Sequence, residues 1–556
     1  MRYLTFLLLV VIFSACEFYR PPRSSNAGQY PEFTLKDTLI GSLGEYRSCF
    51  DVKYYELDLE IDPVKKTVGG EVTTHFEVVE STQKMQLDLD DELAILWVKD
   101  EQGNELNFQR VEHSFFVDLK NELKPGERSS VTVSYFGKPQ KAKKPPWKGG
   151  LVWKSEKGSK FSGVACEDDG AHVWWPLKDH ISDKPDSVQA AFTVPKALMC
   201  VSNGRLMKEE EVGEEKKKYT WRTSYPINTY NVTFYLGNFE RFELPYEGKY
   251  EEFPIEFYVL EHHLEKAKKH FKQARKILYV FEDLFGPYPW PKDGYRLVES
   301  PYAGMEHQSA IAYGNGYKNG KYTGYDYIIL HETAHEWWGN AVTCCDMADL
   351  WIHEGFATYA EMLYEEKKEA SYMYETSYSI NRIYSKNKRP IVGPMDVSYK
   401  NFRDNDIYNK GAVVLHMLRR TIEHDSTFFS ILKRFSMEYR EQCVTTPDFI
   451  ALVNEETGDD YQWFFDQYVY RREAPELWYY SNLEGMRDQT IYYQWNPANT
   501  NADFELELRI ITDKEEFRIQ PSSEVQKIKI PMDKVGYAYL DDEDYVLFTQ
   551  KKDLKN

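Results

Sequence analysis

Two histidines and a glutamate near the middle of the chain have the types and spacing needed to bind and use a metal ion. His331 and His335 are four positions apart, and Glu332 follows the first histidine. On an α-helix, positions i and i+4 lie on one face, so both imidazoles can reach the same ion. His-Glu-x-x-His is the zinc-protease spacing, in which both histidines bind Zn²⁺ and the glutamate is the general base. The alternative is a helix with two exposed histidines and no ligand.

A catalytic zinc site needs a third protein ligand and an open position for water. Glu354 lies nineteen positions after His335 (354 − 335). It falls on the next predicted helix, which can pack antiparallel against the first and bring a carboxylate to the metal. The sequence therefore predicts one Zn²⁺ per chain, bound by His331, His335 and Glu354. His353 is an alternative metal ligand. We expect it to be structural, because it is one residue away from Glu354 and so does not lie on the helix face that carries Glu354.

The stretch 45–245, upstream of this motif, has the pattern of β-strands. Apolar and polar residues alternate with period two in 54–62, 70–78 and 130–135, which is typical of half-buried strands. Turn residues such as Gly103-Asn104 and Pro125-Gly126 separate these runs. We predict an antiparallel β domain over 45–245.

Helical periodicity begins near residue 261 and recurs, with interruptions, to about residue 470. Alternation resumes after Pro475, for example in 503–511 and 525–530. We therefore predict an α+β multidomain chain. A mainly helical catalytic domain covers 246–473, and a small β-sandwich covers 474–556.

Length and charge limit the functions that the chain can have. At 556 residues the chain is too long for one hydrophobic core. Its composition is globular, with 42% hydrophobic and 28% charged residues. The net charge of -20 argues against nucleic acid as a partner, because non-specific binding needs a basic face that replaces phosphate counterions.

The N-terminus has the pattern of an export signal. A basic start, an apolar run over 4–13 and the small residues Ser14-Ala15 precede Cys16. The apolar run is shorter than the ~20 residues of a membrane-spanning helix. We predict a signal peptide over 1–16 in which Cys16, as in a bacterial lipobox, carries a lipid anchor, and a flexible tether over 17–44. The protein is then exported, periplasmic or anchored to the outer membrane. A plain secreted protein is the alternative.

The cysteines other than Cys16 do not form a metal-binding motif. None of them shows C-x-x-C spacing, which argues against a cysteine zinc site or a disulfide scaffold. One or two disulfides remain possible.

Several longer motifs resemble the aminopeptidase N and leukotriene hydrolase family of zinc gluzincins, over about residues 50–470. The matching segments are Gly286-Pro287-Tyr288-Pro289-Trp290, Trp337-Trp338-Gly339-Asn340 after the metal motif, and Trp351-x-His353-Glu354-Gly355-Phe356. The resemblance implies a thermolysin-like catalytic domain. It also implies an aminopeptidase that removes N-terminal residues from peptides with a free N-terminus.

A further match implies how the substrate terminus is bound. Ala303-Gly304-Met305-Glu306-His307 lies where the family has Gly-x-Met-Glu-Asn. By resemblance, Glu306 binds the α-amino group, and Ala303, Gly304 and Met305 belong to the same substrate-binding segment. A carboxylate at a fixed distance from the metal selects peptides whose ammonium group pairs with it. His307 departs from the usual Asn, and a structural glutamate in a turn is the alternative for Glu306.

The resemblance also implies two further site residues. Glu167 lies shortly before Trp174-Trp175-Pro176, at the position of a second amino-group anchor; the alternative is an exposed acidic loop. Tyr408 opens a segment that matches the family's Tyr-x-Lys-Gly-Ala, and would donate its hydroxyl to the oxyanion. For Tyr408 the alternative is a core tyrosine at a helix start.

Two other functions remain open. A thermolysin-like endopeptidase would share the zinc helix but would not need Glu306. A catalytically weakened peptide-binding lipoprotein is suggested by Ala303 and His307, which depart from the family pattern.

Overall fold

The structure is a computed structural model that describes residues 30–146, 148–368, 371–398, 404–484, 487–541, 548–551 and 554. The predicted signal peptide, with the predicted lipid-anchor residue Cys16, lies outside these ranges. None of the helices in the described ranges has the length and hydrophobicity needed to span a bilayer. No disulfide links the cysteines that the described ranges contain.

The N-terminal domain consists of three β-sheets with strand orders β12-β13-β10-β1-β2-β7-β4, β11-β14-β9-β8 and β3-β6-β5. Its elements, in chain order, are α1 (Leu35–Gly41), α2 (Glu45–Ser48), β1 (Phe50–Asp62), β2 (Thr67–Val78), β3 (Thr82–Asp88), β4 (Leu93–Asp100), β5 (Phe108–Val111), β6 (Ser114–Leu123), β7 (Arg128–Gly137), β8 (Gly150–Glu156), β9 (Ser159–Ala165), β10 (Ser187–Pro195), β11 (Met199–Ser202), β12 (Arg205–Val212), β13 (Lys216–Arg222) and β14 (Phe234–Gly237).

Alternation along β1 shows why these segments form strands. Leu57, Leu59 and Ile61 are buried in the domain core, whereas Asp58 and Glu60 between them are exposed. Successive side chains of a strand point to opposite faces, so one face joins the core and the other meets solvent. The predicted β domain is confirmed.

The domain is not wholly antiparallel. Strands β1 and β10 pair in parallel, from Tyr54↔Ser187 to Glu60↔Thr193, while the other pairs of this seven-stranded sheet are antiparallel. A long connection lets a strand return in the same direction. Alternation is the same in both directions, so the sequence pattern did not reveal this pair.

Part of the predicted tether is folded. Residues 35–41 form α1, which begins with a capping box between Thr34 and Asp37. Ile40 is buried, and its carbonyl accepts a hydrogen bond from Arg47 Nη1 (2.8 Å). The prediction of a flexible tether over 17–44 is therefore wrong for residues 35–41, because α1 is capped and packs on the domain.

The catalytic domain places helices beside a mixed sheet with strand order β15-β16-β17-β19-β18. Its strands are β15 (Phe239–Glu247), β16 (Glu252–Leu260), β17 (Tyr295–Glu299), β18 (Gly304–Met305), β19 (Ile311–Tyr313), β20 (Val342–Cys344) and β21 (Gln442–Val444). Its helices are α3 (Leu264–His270), α4 (Gln273–Phe285), α5 (Tyr327–Ala334), α6 (Trp351–Lys367), α7 (Ser371–Tyr384), α8 (Asn409–Ile422), α9 (Asp425–Glu438), α10 (Thr446–Thr457) and α11 (Gln462–Tyr468). The sheet begins with β15, so it starts seven residues before the predicted boundary (246 − 239).

The C-terminal region contains two small sheets, with strand orders β26-β23-β22-β28 and β25-β24-β27. Its elements are β22 (Glu476–Glu484), β23 (Asp488–Trp495), β24 (Leu508–Ile511), β25 (Glu516–Ile519), β26 (Gln526–Pro531), α12 (Met532–Val535), β27 (Tyr539–Asp541) and β28 (Phe548–Lys551). Leu477 and Ile491 of one sheet and Leu508 and Ile510 of the other belong to a single buried cluster, which continues into the catalytic domain. The predicted C-terminal β unit is confirmed.

Candidate active site

The two motif histidines and Glu354 meet at one point. Helix α5 begins at its cap Asp326, whose side chain accepts from Ile328 N, and it ends at His335. The His331 and His335 Nε2 atoms are 3.1 Å apart, and each lies 3.4 Å from Glu354 Oε2. Glu354 reaches them from the first turn of α6. The structure thus brings together the three residues that the sequence predicted as metal ligands.

This triangle fits a zinc ion. Ligand atoms 2.0–2.1 Å from a tetrahedral Zn²⁺ are about 3.3 Å from one another. Glu354 Oε2 is buried and accepts no hydrogen bond from the described residues, which is costly unless a cation takes that place. Burial by itself would raise the pKa of Glu354, but the neighbouring His335 and His331 hold it well below its usual value.

Both histidines are oriented through their other ring nitrogen. His331 Nδ1 lies 2.8 Å from Glu361 Oε1, and His335 Nδ1 lies 2.8 Å from the Trp338 carbonyl oxygen. Donation from Nδ1 leaves the lone pair of Nε2 free to bind a metal. Glu361 is not among the site residues predicted from the sequence. Its signal was the spacing of seven residues from Glu354, two turns along the same face of α6.

Glu332 lies against the backbone of Gly304. A Cβ atom at Gly304 would come within 2.3 Å of Glu332 Oε1, so a side chain at this position would displace the carboxylate. Burial raises the pKa of Glu332 to about 8. A divalent cation on the adjacent histidines would lower this pKa, as the general-base role predicted for Glu332 would require near neutral pH.

Glu306 is a buried carboxylate at the wall of the same cleft. Its side chain is held by the Tyr230 hydroxyl, which donates to Oε1 (3.1 Å). Its main chain is held by Asn340 Nδ2, which donates to the Glu306 carbonyl oxygen (2.8 Å). Burial raises the pKa of Glu306, and Glu354 contributes in the same direction. A cationic group placed beside Glu306 would restore its charged form.

Tyr408 precedes α8 and approaches the three predicted metal ligands from another side. Its ring stacks near that of His331, with centroids 6.2 Å apart. Burial and the negative charge of Glu354 raise the pKa of Tyr408 well above its usual value. The hydroxyl therefore stays protonated and can donate a hydrogen bond.

One cleft contains all ten residues predicted for the site. It has a volume of about 1030 Å³. The predicted residues that line it are Glu167, Ala303, Gly304, Met305, Glu306, His331, Glu332, His335, Glu354 and Tyr408. Glu167 lies in the loop after β9 and comes from the N-terminal domain. The cleft therefore forms between the first two domains, where ligand sites commonly lie.

The two remaining histidines of these motifs do not reach the three metal ligands. His353 is buried, and its Nε2 accepts a hydrogen bond from Cys344 N (2.9 Å). His307 is also buried, with Nδ1 2.6 Å from the Tyr235 hydroxyl. Burial lowers the pKa of His307 to about 3, so its ring is neutral. Both contacts place these side chains in the packing around the site.

Comparison with known families gives two matches. Residues 52–231 match the Peptidase M1 N-terminal domain, and residues 269–468 match the Peptidase family M1 domain. The two models together cover the β domain and most of the helical domain.

Curated relatives cover a similar region at low identity. The chain is 24% identical to glutamyl aminopeptidase of Sus scrofa over 515 residues, which are 84% of this chain and 52% of that protein. It is 24% identical to probable aminopeptidase 2 of Sulfurisphaera tokodaii over 400 residues, 66% of this chain and 50% of that protein. The chain thus spans about half the length of these relatives.

Solved structures show the same fold. A mutant of a two-domain M1 zinc metallopeptidase bound to L-tryptophan superposes with a TM-score of 0.67 at 24% identity, over 79% of this chain and 98% of that one. M1 zinc metallopeptidase from Deinococcus radiodurans superposes with a TM-score of 0.63 at 23% identity, over 76% and 94%. With both domains matched in sequence and the fold shared, the chain belongs to peptidase family M1.

Proposed function

We propose that this protein is a zinc-dependent aminopeptidase that hydrolyses the first peptide bond of peptides outside the cytoplasm. The observation that carries the proposal is Glu306, a buried carboxylate that lines the same cleft as His331, His335 and Glu354. A negative group buried beside a metal site needs a cationic partner. The free ammonium terminus of a peptide supplies one.

His331, His335 and Glu354 would hold the Zn²⁺ ion. When bound there, the ion lowers the pKa of a water molecule and polarises a carbonyl group. Glu361 and the Trp338 carbonyl keep the two imidazoles in the tautomer that this binding requires.

Glu332 moves the proton in this scheme. Its carboxylate accepts a proton from the attacking water and later gives that proton to the leaving amine. Gly304, which leaves room for Glu332 Oε1, sets its position.

Tyr408 and Glu306 contact two different groups of the substrate, the attacked carbonyl and the N-terminal ammonium. The protonated Tyr408 hydroxyl donates a hydrogen bond to the oxyanion that forms at the attacked carbonyl. Glu306, with Glu167 across the domain boundary, holds the substrate ammonium. The distance between these groups and the metal ligands selects the first peptide bond for cleavage.

The proposal is tested with one peptide in two forms. A free-amine peptide and its N-acetyl derivative are compared by kcat/KM with the zinc-loaded protein. We expect the free amine to be cleaved at least 100-fold faster, because the acetylated terminus leaves Glu306 buried without a cationic partner. Equal cleavage of both forms would show that Glu306 does not select substrates by binding their free N-terminal ammonium group.

The same experiment decides between the two alternatives. A thermolysin-like endopeptidase would cleave the acetylated peptide at an internal bond, which mass spectrometry of the products detects. A catalytically weakened peptide-binding protein would bind the free-amine peptide and release no amino acid. The full set of Glu332, Tyr408 and Glu306 in one cleft favours the aminopeptidase.

We further propose that the protein is exported and carries a lipid on Cys16. The basic start, the apolar run over 4–13 and Ser14-Ala15-Cys16 support this. Labelling with a fatty acid in a bacterial host should mark the wild type but not Cys16→Ser. Labelling of both, or of neither, would reject the lipid anchor.

A further inference from the structure

A second cluster of metal-binding side chains lies away from the cleft. Glu156, His262 and His263 each offer a ligand atom, and these atoms lie within 4.8 Å of one another. The His262 Nε2 and His263 Nε2 atoms are 3.6 and 4.0 Å from Glu156 Oε1. None of the three residues lines the cleft that holds the metal ligands of α5 and α6.

The donor set repeats that of the active site. Each cluster has two imidazoles and one carboxylate, and in each a further carboxylate fixes one imidazole. His263 Nδ1 lies 2.6 Å from Glu299 Oε1, as His331 Nδ1 lies 2.8 Å from Glu361. Donation to Glu299 directs the Nε2 lone pair of His263 outward, toward Glu156.

Glu299 is itself held rigidly. It is 6% exposed, and its Oε2 accepts from Leu260 N and from the Tyr317 hydroxyl, both at 2.8 Å. A buried, fixed carboxylate on the inner nitrogen of a partly exposed histidine is the arrangement that supports metal-bound imidazoles in proteins.

The outer side of the cluster is open to water. The side chains of His262, His263 and Glu156 are 22%, 23% and 30% exposed. The two gaps of 3.6 and 4.0 Å exceed the ligand spacing of about 3.3 Å around a tetrahedral zinc ion. Because these side chains are partly exposed, they can close the two gaps by the required ~0.3 and ~0.7 Å, and water can fill the fourth position.

We propose that Glu156, His262 and His263 form a second site for a divalent transition-metal ion, with Zn²⁺ as its natural ligand. Two imidazole nitrogens and one carboxylate oxygen suit Zn²⁺, whereas Mg²⁺ and Ca²⁺ prefer oxygen ligands alone. The site links two domains, since Glu156 ends β8 in the N-terminal domain and His262 and His263 precede α3 in the catalytic domain.

The site would hold a hairpin that also forms a wall of the cleft. In the β8–β9 hairpin, Glu156 pairs with Ser159 at the tip, and Gly150 pairs with Ala165 at the base. Glu167 follows this base by two residues and lines the cleft. A metal ion at the tip therefore fixes the hairpin to the catalytic domain at the end opposite the substrate.

A third cluster, Asp90, Asp91 and His113, provides a contrast. Its histidine nitrogen Nδ1 accepts a hydrogen bond from Asp91 N (3.2 Å), and that nitrogen is the one that faces the carboxylates. The lone pair of His113 Nδ1 is engaged, so this nitrogen is not available to a metal ion. His113→Gln serves as the matched control.

The test counts zinc ions per chain in the full-length protein. Each variant is stripped with a chelator, dialysed against Zn²⁺ alone and measured by elemental analysis. We expect two ions in the wild type and in His113→Gln. We expect one ion in the double variant His262→Gln/His263→Gln and one in Glu354→Ala, which lacks a ligand of the first site. Combining the three substitutions should leave none.

The second arm measures affinity in the Glu354→Ala background, where activity plays no part. Glu299→Gln should weaken zinc binding by about 10–100-fold, the usual effect of removing a partner that orients a ligand. Glu156→Gln, a change at a partly exposed strand end, should also weaken zinc binding and covers the case in which a Glu299 variant fails to fold. Added Zn²⁺ should raise the Tm of Glu354→Ala but not of the triple variant.

Two results would overturn the proposal. One is a wild type that binds a single zinc ion. The other is a zinc affinity in the Glu354→Ala background that neither Glu156→Gln nor Glu299→Gln changes. Such a result would mean that two surface histidines bind zinc adventitiously, without the two carboxylates. Neither result depends on whether the protein is an aminopeptidase.

Discussion

Gly355 of α6 and Gly411 of α8 pack backbone against backbone. A Cβ atom at Gly355 would lie 2.9 Å from the Gly411 Cα, and one at Gly411 would lie 2.8 Å from the Gly355 Cα. Glu354 directly precedes the first glycine, and Tyr408 lies three residues before the second. This close approach therefore sets the position of Glu354, a predicted metal ligand, relative to Tyr408.

Gly355→Ala should separate the two helices and impair catalysis. We expect a loss of stability of about 1–3 kcal/mol from overpacking and a fall in kcat of at least tenfold, because Tyr408 moves away from the metal ligands. Thermal unfolding and steady-state kinetics measure the two effects. Gly44→Ala is the matched control, since a Cβ there meets nothing within 4 Å. Wild-type kcat in Gly355→Ala would show that the helix spacing does not matter for the chemistry.

Gly304→Ala should lower turnover while the protein keeps its zinc. The new Cβ would come within 2.3 Å of Glu332 Oε1 and 2.9 Å of Ile328 Cγ2, so the carboxylate must shift. A displacement of about 1 Å in a catalytic group can reduce the rate about 100-fold. Zinc content and kcat are measured together, with Glu332→Gln as the reference for loss of the base. Loss of zinc instead of turnover would place Gly304 in metal binding.

Tyr408→Phe should reduce kcat with little change in zinc content or KM. Removal of one oxyanion donor raises the barrier by about 3–4 kcal/mol, which corresponds to a rate loss of 10²–10³. Tyr322→Phe, at a tyrosine that is 81% exposed, controls for loss of a hydroxyl. An unchanged kcat in Tyr408→Phe would exclude Tyr408 from oxyanion stabilisation.

Glu361→Gln should weaken zinc binding, although Glu361 is not one of the three ligands. The amide of Gln is a poorer acceptor for His331 Nδ1, and loss of such a partner typically weakens binding 10–100-fold. Competition with a chelator measures the affinity. Glu354→Ala, which removes a ligand, should lose more. Equal affinities of Glu361→Gln and wild type would mean that the 2.8 Å contact with His331 does not support the metal.

The buried His307 should make the protein less stable in mild acid. Burial lowers the pKa of His307 to about 3 in the folded chain, whereas an unfolded histidine has a pKa near 6.5. Between these values the unfolded chain binds the extra proton, so stability present above pH ~6.5 is lost as the pH falls toward 3. At pH 5 the loss is on the order of 2 kcal/mol for one such group.

His307→Asn removes this titration, so its Tm should drop less than that of the wild type between pH 7.5 and pH 5. His180, whose pKa burial also lowers to about 3, remains in the variant and accounts for part of the residual drop. Differential scanning calorimetry measures the Tm values. An identical pH dependence in both proteins would contradict a neutral, buried His307.

The metal ligands could be predicted because their spacing is local. His331 and His335 are one helical turn apart. They lie in or directly after the short helix α5, whose start is marked by the cap residue Asp326. The prediction of Glu354 as the third ligand required one further assumption, that the next helix packs antiparallel against the first. The strand domains were predicted for the same reason, since alternation with period two is visible within a few residues.

The sequence by itself predicted His331, His335 and Glu354 as the metal ligands, and it predicted the alternating strands. Only the tertiary structure decided the contacts between distant residues: Glu361 on His331, Gly304 beneath Glu332, Gly411 against Gly355, and β10 beside β1 in parallel. The same holds for α1, which packs where a tether was expected. Periodicity records which face of an element is buried, but not which other element covers it. That choice follows from the packing of the whole chain, because each of these contacts joins residues that no local pattern connects.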